Sequence, residues 1–91
     1  MTEVETRMEI RVTVTFPITK KGPFEEGVAR DATVGSVRTA AMNHFGVQDD
    51  SQFVYVLAYD GVEEGNDRTV GQVAGIAQEA KFTLVKKIAQ G

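Results

Sequence analysis

The chain contains no cysteine, which removes disulfide frameworks, thiolate-held metals, iron–sulfur clusters and cysteine nucleophiles. The same absence favours a reducing compartment, and the cytoplasm is the expected location. One histidine among 91 residues leaves neither a histidine metal cluster nor a relay of several histidines. Basic charge is also short: ten lysines and arginines face thirteen acidic residues, a net of −3. That balance argues against a duplex nucleic-acid footprint. No apolar run approaches the ~18 residues that would mark a membrane span. The opening Met1-Thr2-Glu3-Val4-Glu5 lacks the basic-then-apolar order of a secretory signal. Neither a membrane nor a nucleic acid is therefore expected as a partner.

What remains is the composition of an ordinary globule. The hydrophobic share is 42% and the charged share 25%. Size scaling lets a chain of this mass bury roughly 64% of its unfolded surface, enough for one core. Residues 1–7 carry no pattern and are expected to be a flexible lead-in, residues 8–88 one domain and residues 89–91 a tail.

Met8, Ile10, Val12, Val14 and Phe16 alternate with Glu9, Arg11, Thr13 and Thr15, a period of two that predicts a half-buried strand. Pro17 stops it. Thr19-Lys20-Lys21-Gly22-Pro23 is turn chemistry. A weaker strand over residues 24–30, interrupted by Gly27, would complete a long, lysine-tipped hairpin. Thr33 has the character of a helix N-cap, with Ala32 and Val37 spaced as a hydrophobic staple. Val34, Val37, Ala41 and Phe45 form one apolar stripe, and Gly46-Val47 is a C-terminal stop. The predicted helix is about 12 residues long, well within the usual range.

Gln48-Asp49-Asp50-Ser51 reads as a polar loop. Residues 53–59, Phe-Val-Tyr-Val-Leu-Ala-Tyr, form a continuous apolar run bounded by turn signals and predict a central strand. Asp60-Gly61 marks a tight turn, and residues 62–67 an acidic connection. Thr69-x-x-Gln72 has capping-box spacing ahead of Val70, Val73 and Ile76 and predicts a short helical turn. Residues 81–88 predict the last strand. The pattern Thr-Val-Gly-x-Val opens both predicted helices, at Thr33 and Thr69, a match too short to count as an internal repeat. The order ββαβ(short helix)β predicts an α+β fold, a mixed sheet packed on one helix in β-grasp order.

Thr33-Val34-x-x-Val37, Phe45-Gly46-Val47, Tyr59-Asp60-Gly61, Arg68-Thr69-Val70 and Phe82-Thr83-Leu84-Val85 occur in the order and at the spacing of similar segments in ubiquitin. Over residues 8–91 the chain resembles the ubiquitin family, in particular the bacterial ubiquitin-like modifiers encoded beside their own activating and conjugating enzymes. The resemblance implies a protein modifier that is not itself an enzyme. It implies no cofactor, no metal and no catalytic side chain. The reactive group would be the carboxylate of Gly91, carried on Ala89 and Gln90 and joined to targets through an isopeptide bond. Partners would be the activating and conjugating enzymes and the target proteins. Glycine has no Cβ to block a nucleophile, and three residues reach roughly 10 Å. Gln90 departs from the family's paired glycines, which counts against standard ubiquitin-type activation as well as against a sulfur carrier working through a terminal thiocarboxylate. A noncovalent β-grasp interaction module that never uses Gly91 stays open.

If Tyr55, Leu57 and Tyr59 face the helix, then Val54, Val56 and Ala58 face away, joined by Thr83 and Val85 of the last strand. The resemblance assigns these outward positions to a partner-binding patch. Independently of it, three apolar residues outside a one-sided sheet suggest a contact surface. A register shifted by one residue, or a homodimer, would explain the same residues. Lys20 and Lys21, with Lys81, Lys86 and Lys87, are candidate acceptors for a modifier or plain exposed lysines. His44 has no second ligand and reads as a solvated residue in a helix's last turn. Asp49-Asp50 and the stretch from Asp60 to Asp67 lack EF-hand spacing and read as solvated loops. Glu25 and Glu26 weigh against a Ras-binding type of β-grasp, whose corresponding edge is basic.

Overall fold

Alternation in the first strand, β1 (Glu9–Thr15), sorts its side chains cleanly. Ile10, Val12 and Val14 are each 0% exposed, while Glu9, Arg11 and Thr15 lie open. The computed structural model describes residues 9–89. The expected lead-in over residues 1–7, Met8, and Gln90 and Gly91 of the tail lie outside the described residues. A long loop follows β1, and β2 (Phe24–Ala29) returns antiparallel to it, with Gly27 opposite Arg11. Gly27 therefore continues the strand and does not interrupt it.

Helix α1 (Val34–Phe45) begins as its sequence predicts. The Thr33 side chain accepts the Ser36 N–H, and Val34, Val37, Ala41, Met42 and Phe45 are buried. It ends at Gly46, whose φ of 72° lets the Gly46 and Val47 N–H groups reach the Asn43 and Met42 carbonyls, a Schellman closure. Strand β3 (Phe53–Tyr59) and the next strand join through Asp60-Gly61, with φ of 53° and 81°, the two positive values of a type I′ hairpin turn. That next strand, β4 (Val62–Glu64), lies where the sequence predicts an acidic connection. The type I′ turn aims the chain straight back along β3, so even Val-Glu-Glu is held in the ladder. Helix α2 (Val70–Ala74) carries both bonds of a capping box between Thr69 and Gln72. It stops at Gly75 (φ 64°), leaving Ile76 fully exposed and outside the predicted stripe. Strand β5 (Glu79–Ile88) starts two residues before its predicted beginning.

The sheet order is β2-β1-β5-β3-β4. Only β1 and β5 run parallel; the other neighbours are antiparallel. One face of this sheet, α1 and Val70 of α2 form a single core. Phe16 packs at 5.4 Å from Phe45 and edge-on at 5.9 Å from Tyr55, spacings typical of favourable aromatic pairs.

The two Thr-Val-Gly-x-Val segments meet. Val34 N–H donates to the Arg68 carbonyl (2.7 Å), and Val70 N–H to the Ala32 carbonyl (2.8 Å). Gly35 N–H donates to Asn66 (3.0 Å), and Gly71 N–H to Arg30 (2.8 Å). Each bond has its mirror at the equivalent position of the other segment, about a local two-fold through the Thr33–Thr69 bridge. A helix start leaves its first N–H groups without partners. Here the opposite segment satisfies the first two in each helix and the capping threonine the third. The close approach also explains the glycines. A Cβ on Gly71 would lie 2.9 Å from the Arg30 carbonyl oxygen, and one on Gly35 3.0 Å from Asn66 Cβ.

Candidate functional site

The candidate site is the outward face of β3 and β5 together with the exit of β5 toward the tail. Register decides which side chains share that face: Val56 lies opposite Val85, Ala58 opposite Thr83 and Val54 opposite Lys87. Tyr55 and Leu57 point the other way, at 8% and 0% exposure, and Tyr59 packs partly against the core. Phe82 and Leu84 are each 1% exposed beneath the sheet, while Thr83 and Val85 are half-buried on the outer side.

Four of the five predicted patch residues, Val54, Val56, Thr83 and Val85, are half-buried. Ala58 is the exception. It is buried at 8% exposure, because a methyl group flanked by Thr83 and Glu63 on neighbouring strands presents little surface of its own. Lys87 and Glu63 form an ion pair at 2.9 Å. Their registers, opposite Val54 and Ala58, carry it diagonally across β3 at Val56. The apolar strip is thus spanned by a pair of charges, both half-exposed, worth little to stability in that setting and easily displaced.

The tail leaves from the far end of β5. Ala89 N–H donates to the Gln52 carbonyl at 2.8 Å, so the ladder extends one residue past the strand. Ala89, the first of the three residues expected to form a free tail, is therefore tethered. The loop before β3 is itself braced. Asp50 accepts the N–H groups of Phe53 and Gln52, both at 2.8 Å, and these bonds hold its carboxyl below the usual carboxylate range. Asp49 accepts the Tyr55 N–H at 2.9 Å and pairs with Arg38 of α1 at 3.2 Å. Arg38 also donates to the Tyr55 carbonyl. Both aspartates are thus exposed, as a solvated loop requires, while their carboxylates brace the backbone. Among the described residues no three His, Cys, Asp or Glu side chains converge to hold a metal ion, and no helix is long and apolar enough to cross a membrane.

Lys21 is exposed but donates to the His44 carbonyl at the end of α1, whereas Lys20 extends from the same loop. His44 is half-buried, not fully solvated. Its Nε2 lies 3.0 Å from the Gly22 carbonyl, and its ring stands edge-on to Phe45 at 4.8 Å. Lys21 and His44 together fasten the β1–β2 loop to the helix, a pairing that nothing in the local sequence announces.

No protein-family model matches the chain, and no curated protein is similar to it in sequence. Solved structures are similar to it. One is the ubiquitin of Caldiarchaeum subterraneum, 26% identical with a TM-score of 0.72, the match covering 91% of this chain and 99% of that one. Another is a ubiquitin-like domain of an Arabidopsis thaliana protein, 26% identical, TM-score 0.57, covering 85% and 76%. A structure described as molecular mimicry of SUMO shares 14% identity at a TM-score of 0.63, covering 86% and 91%. Element order, register and these likenesses agree, and the fold of the chain is the ubiquitin-like β-grasp.

Proposed function

We propose that this chain is a protein modifier, activated at the carboxylate of Gly91 and joined to target proteins by a dedicated enzyme system. The observation that carries the reading is the likeness to an archaeal ubiquitin over 91% of this chain and 99% of that one. An activating enzyme would adenylate the carboxylate and release pyrophosphate. An enzyme thiolate would then attack the acyl carbon and expel AMP. The chain contributes presentation. Strand β5, which leads into the tail, is held between β1 and β3. Because Ala89 is tethered to Gln52, an enzyme must either bring its cleft up to the Gln52 loop or break that bond to gain reach. The strip of Val54, Val56 and Val85, with Thr83 beside it and Ala58 beneath, is the surface such an enzyme would read. Lys20 is the freer of the two hairpin lysines as an acceptor.

The experiment pairs the chain with the activating enzyme encoded in its own genome. Pyrophosphate exchange and a thioester sensitive to reducing agent are expected. Both disappear on deletion of Gly91 without loss of folding, because the carboxylate then sits on Gln90, and an attack geometry missed by about 1 Å costs on the order of a hundredfold. Wild-type activity in the deletion overturns the reading. The half-buried apolar strip favours the second reading, a noncovalent module, and that reading then stands alone.

A further inference from the structure

The last rung of the β3–β5 ladder stands on a turn. Register pairing ends at Phe53 opposite Ile88, and one further bond, from the Ala89 N–H to the Gln52 carbonyl at 2.8 Å, lies beyond it. Gln52 can offer that carbonyl because the chain reverses just before it. The Asp50 N–H donates to the Phe53 carbonyl at 2.9 Å, while the Asp50 carboxylate accepts the Gln52 and Phe53 N–H groups at 2.8 Å each. An aspartate that bonds the backbone two residues on holds its own turn folded. Lys86 secures the same corner from β5, its Nζ 4.1 Å above the centre of the Phe53 ring, a cation–π contact. The two neighbouring aspartates divide the labour. Asp49 ties the base of the loop to Tyr55 and Arg38, whereas the bonds of Asp50 all fall within residues 50–53. Asp50 is also exposed, so truncating it frees the turn and opens no cavity in the core.

We infer that Asp50 is a positioning residue for activation: by fixing the Gln52 carbonyl it latches Ala89 to β3, and the activating enzyme has to open that latch. The role in activation rests on the reading proposed above; the latch itself does not. A segment paired with its own sheet offers a cleft only its free side. An Ala89 N–H already given to Gln52 cannot be given to an enzyme as well. The bond is also the least costly of the ladder to release, since it is the outermost rung, and outer rungs open locally without global unfolding. Latched molecules then compete with unlatched ones. An enzyme that binds only the unlatched form sees its affinity reduced by the unlatched fraction, which is a loss in binding and not in chemistry. Weakening the turn should therefore improve the chain as a substrate, the reverse of what damage to a structural loop would do.

The test reads the latch and the enzyme separately. In the ¹³C,¹⁵N-labelled chain, a through-hydrogen-bond coupling between the Ala89 nitrogen and the Gln52 carbonyl carbon is expected, and Asp50→Ala abolishes it. Asp50→Asn, whose side-chain oxygen accepts the same two bonds, restores it. With the activating enzyme encoded in the same genome and pyrophosphate exchange as the assay, Asp50→Ala lowers the KM for the chain about two- to tenfold, the range set by one net hydrogen bond. The kcat stays unchanged, and Asp50→Asn returns KM to the wild-type value. Val34→Ala, which loosens the core and leaves the loop alone, changes neither the coupling nor KM. Asp50→Ser, with a shorter acceptor, gives an intermediate effect and stands in where Asp50→Ala does not fold. A coupling that survives Asp50→Ala overturns the latch. A lost coupling with KM unchanged or raised overturns its part in activation. A wild-type chain that the enzyme does not adenylate overturns the modifier reading and the enzymatic role with it, while the coupling still decides the latch.

Discussion

Residues 33–37 and 69–73 share one pattern, one capping chemistry and one set of reciprocal backbone bonds, yet the first opens a helix of 12 residues and the second a helix of 5. The shorter helix has the better cap, since both bonds of the capping box are made only there. What differs is the sequence after the start. Beyond Val37, α1 places Ala41, Met42 and Phe45 on the core, and each added turn buries apolar surface. Beyond Val73, α2 meets Gly75, and Ile76 projects into solvent. A cap fixes where a helix begins and which way it points. Its length is decided by how far a buried stripe runs, in keeping with the small contribution of propensity relative to packing.

If the two starts are equivalent, Val34→Ala and Val70→Ala should cost the same despite the difference in helix length. Each valine is 0% exposed, and about 1.5–3 kcal/mol is expected from lost burial at either site. Urea midpoints of the two variants decide the matter: a near-neutral Val70→Ala would break the equivalence. Gly71→Ala sharpens it further. Alanine in place of a helical glycine ordinarily gains up to about 1 kcal/mol. Here the added methyl meets the Arg30 carbonyl at 2.9 Å, so a net loss of roughly 1–3 kcal/mol is expected from the forced shift. A thermal melt showing stabilisation would mean that the two segments do not approach as described. The smallest effect belongs to the point where the helices diverge. Ile76→Ser should leave the melting midpoint unchanged within about 0.5 kcal/mol, and a larger loss would place Ile76 in a contact.

Much of this architecture is legible in the residues, and the reasons are local. The β1 alternation, the Thr33 and Thr69 caps, the Gly46 stop and the Asp60-Gly61 turn each act within a few residues, so their spacing reports them directly. Strand β4 escapes because Val62, Glu63 and Glu64 are too few and too charged to alternate visibly; its partner β3 makes it a strand. Ile76 falls at helical spacing, but spacing is silent about the backbone at Gly75. The outward face follows from parity in β3 and β5, whereas the burial of Ala58 depends on residues from two other strands. The tether at Ala89, the Arg38–Asp49 brace and the Lys21–His44 fastening join positions 37, 11 and 23 apart in sequence. No periodicity encodes pairs of that kind.

The strand that carries the tail is the last element of the described fold and lies in the middle of its sheet, between β1 and β3. Until β5 arrives, β2–β1 and β3–β4 are separate hairpins with no strand between them, each marginal alone. Closing the sheet requires a parallel pairing of Arg11 with Glu79 across most of the chain, a slow, long-range step. Completion of the domain and assembly of the outward β3–β5 face are thus a single kinetic event. A nascent or misfolded copy has no β5 in register and so lacks the face on which Val85 lies opposite Val56; that surface exists only in folded molecules.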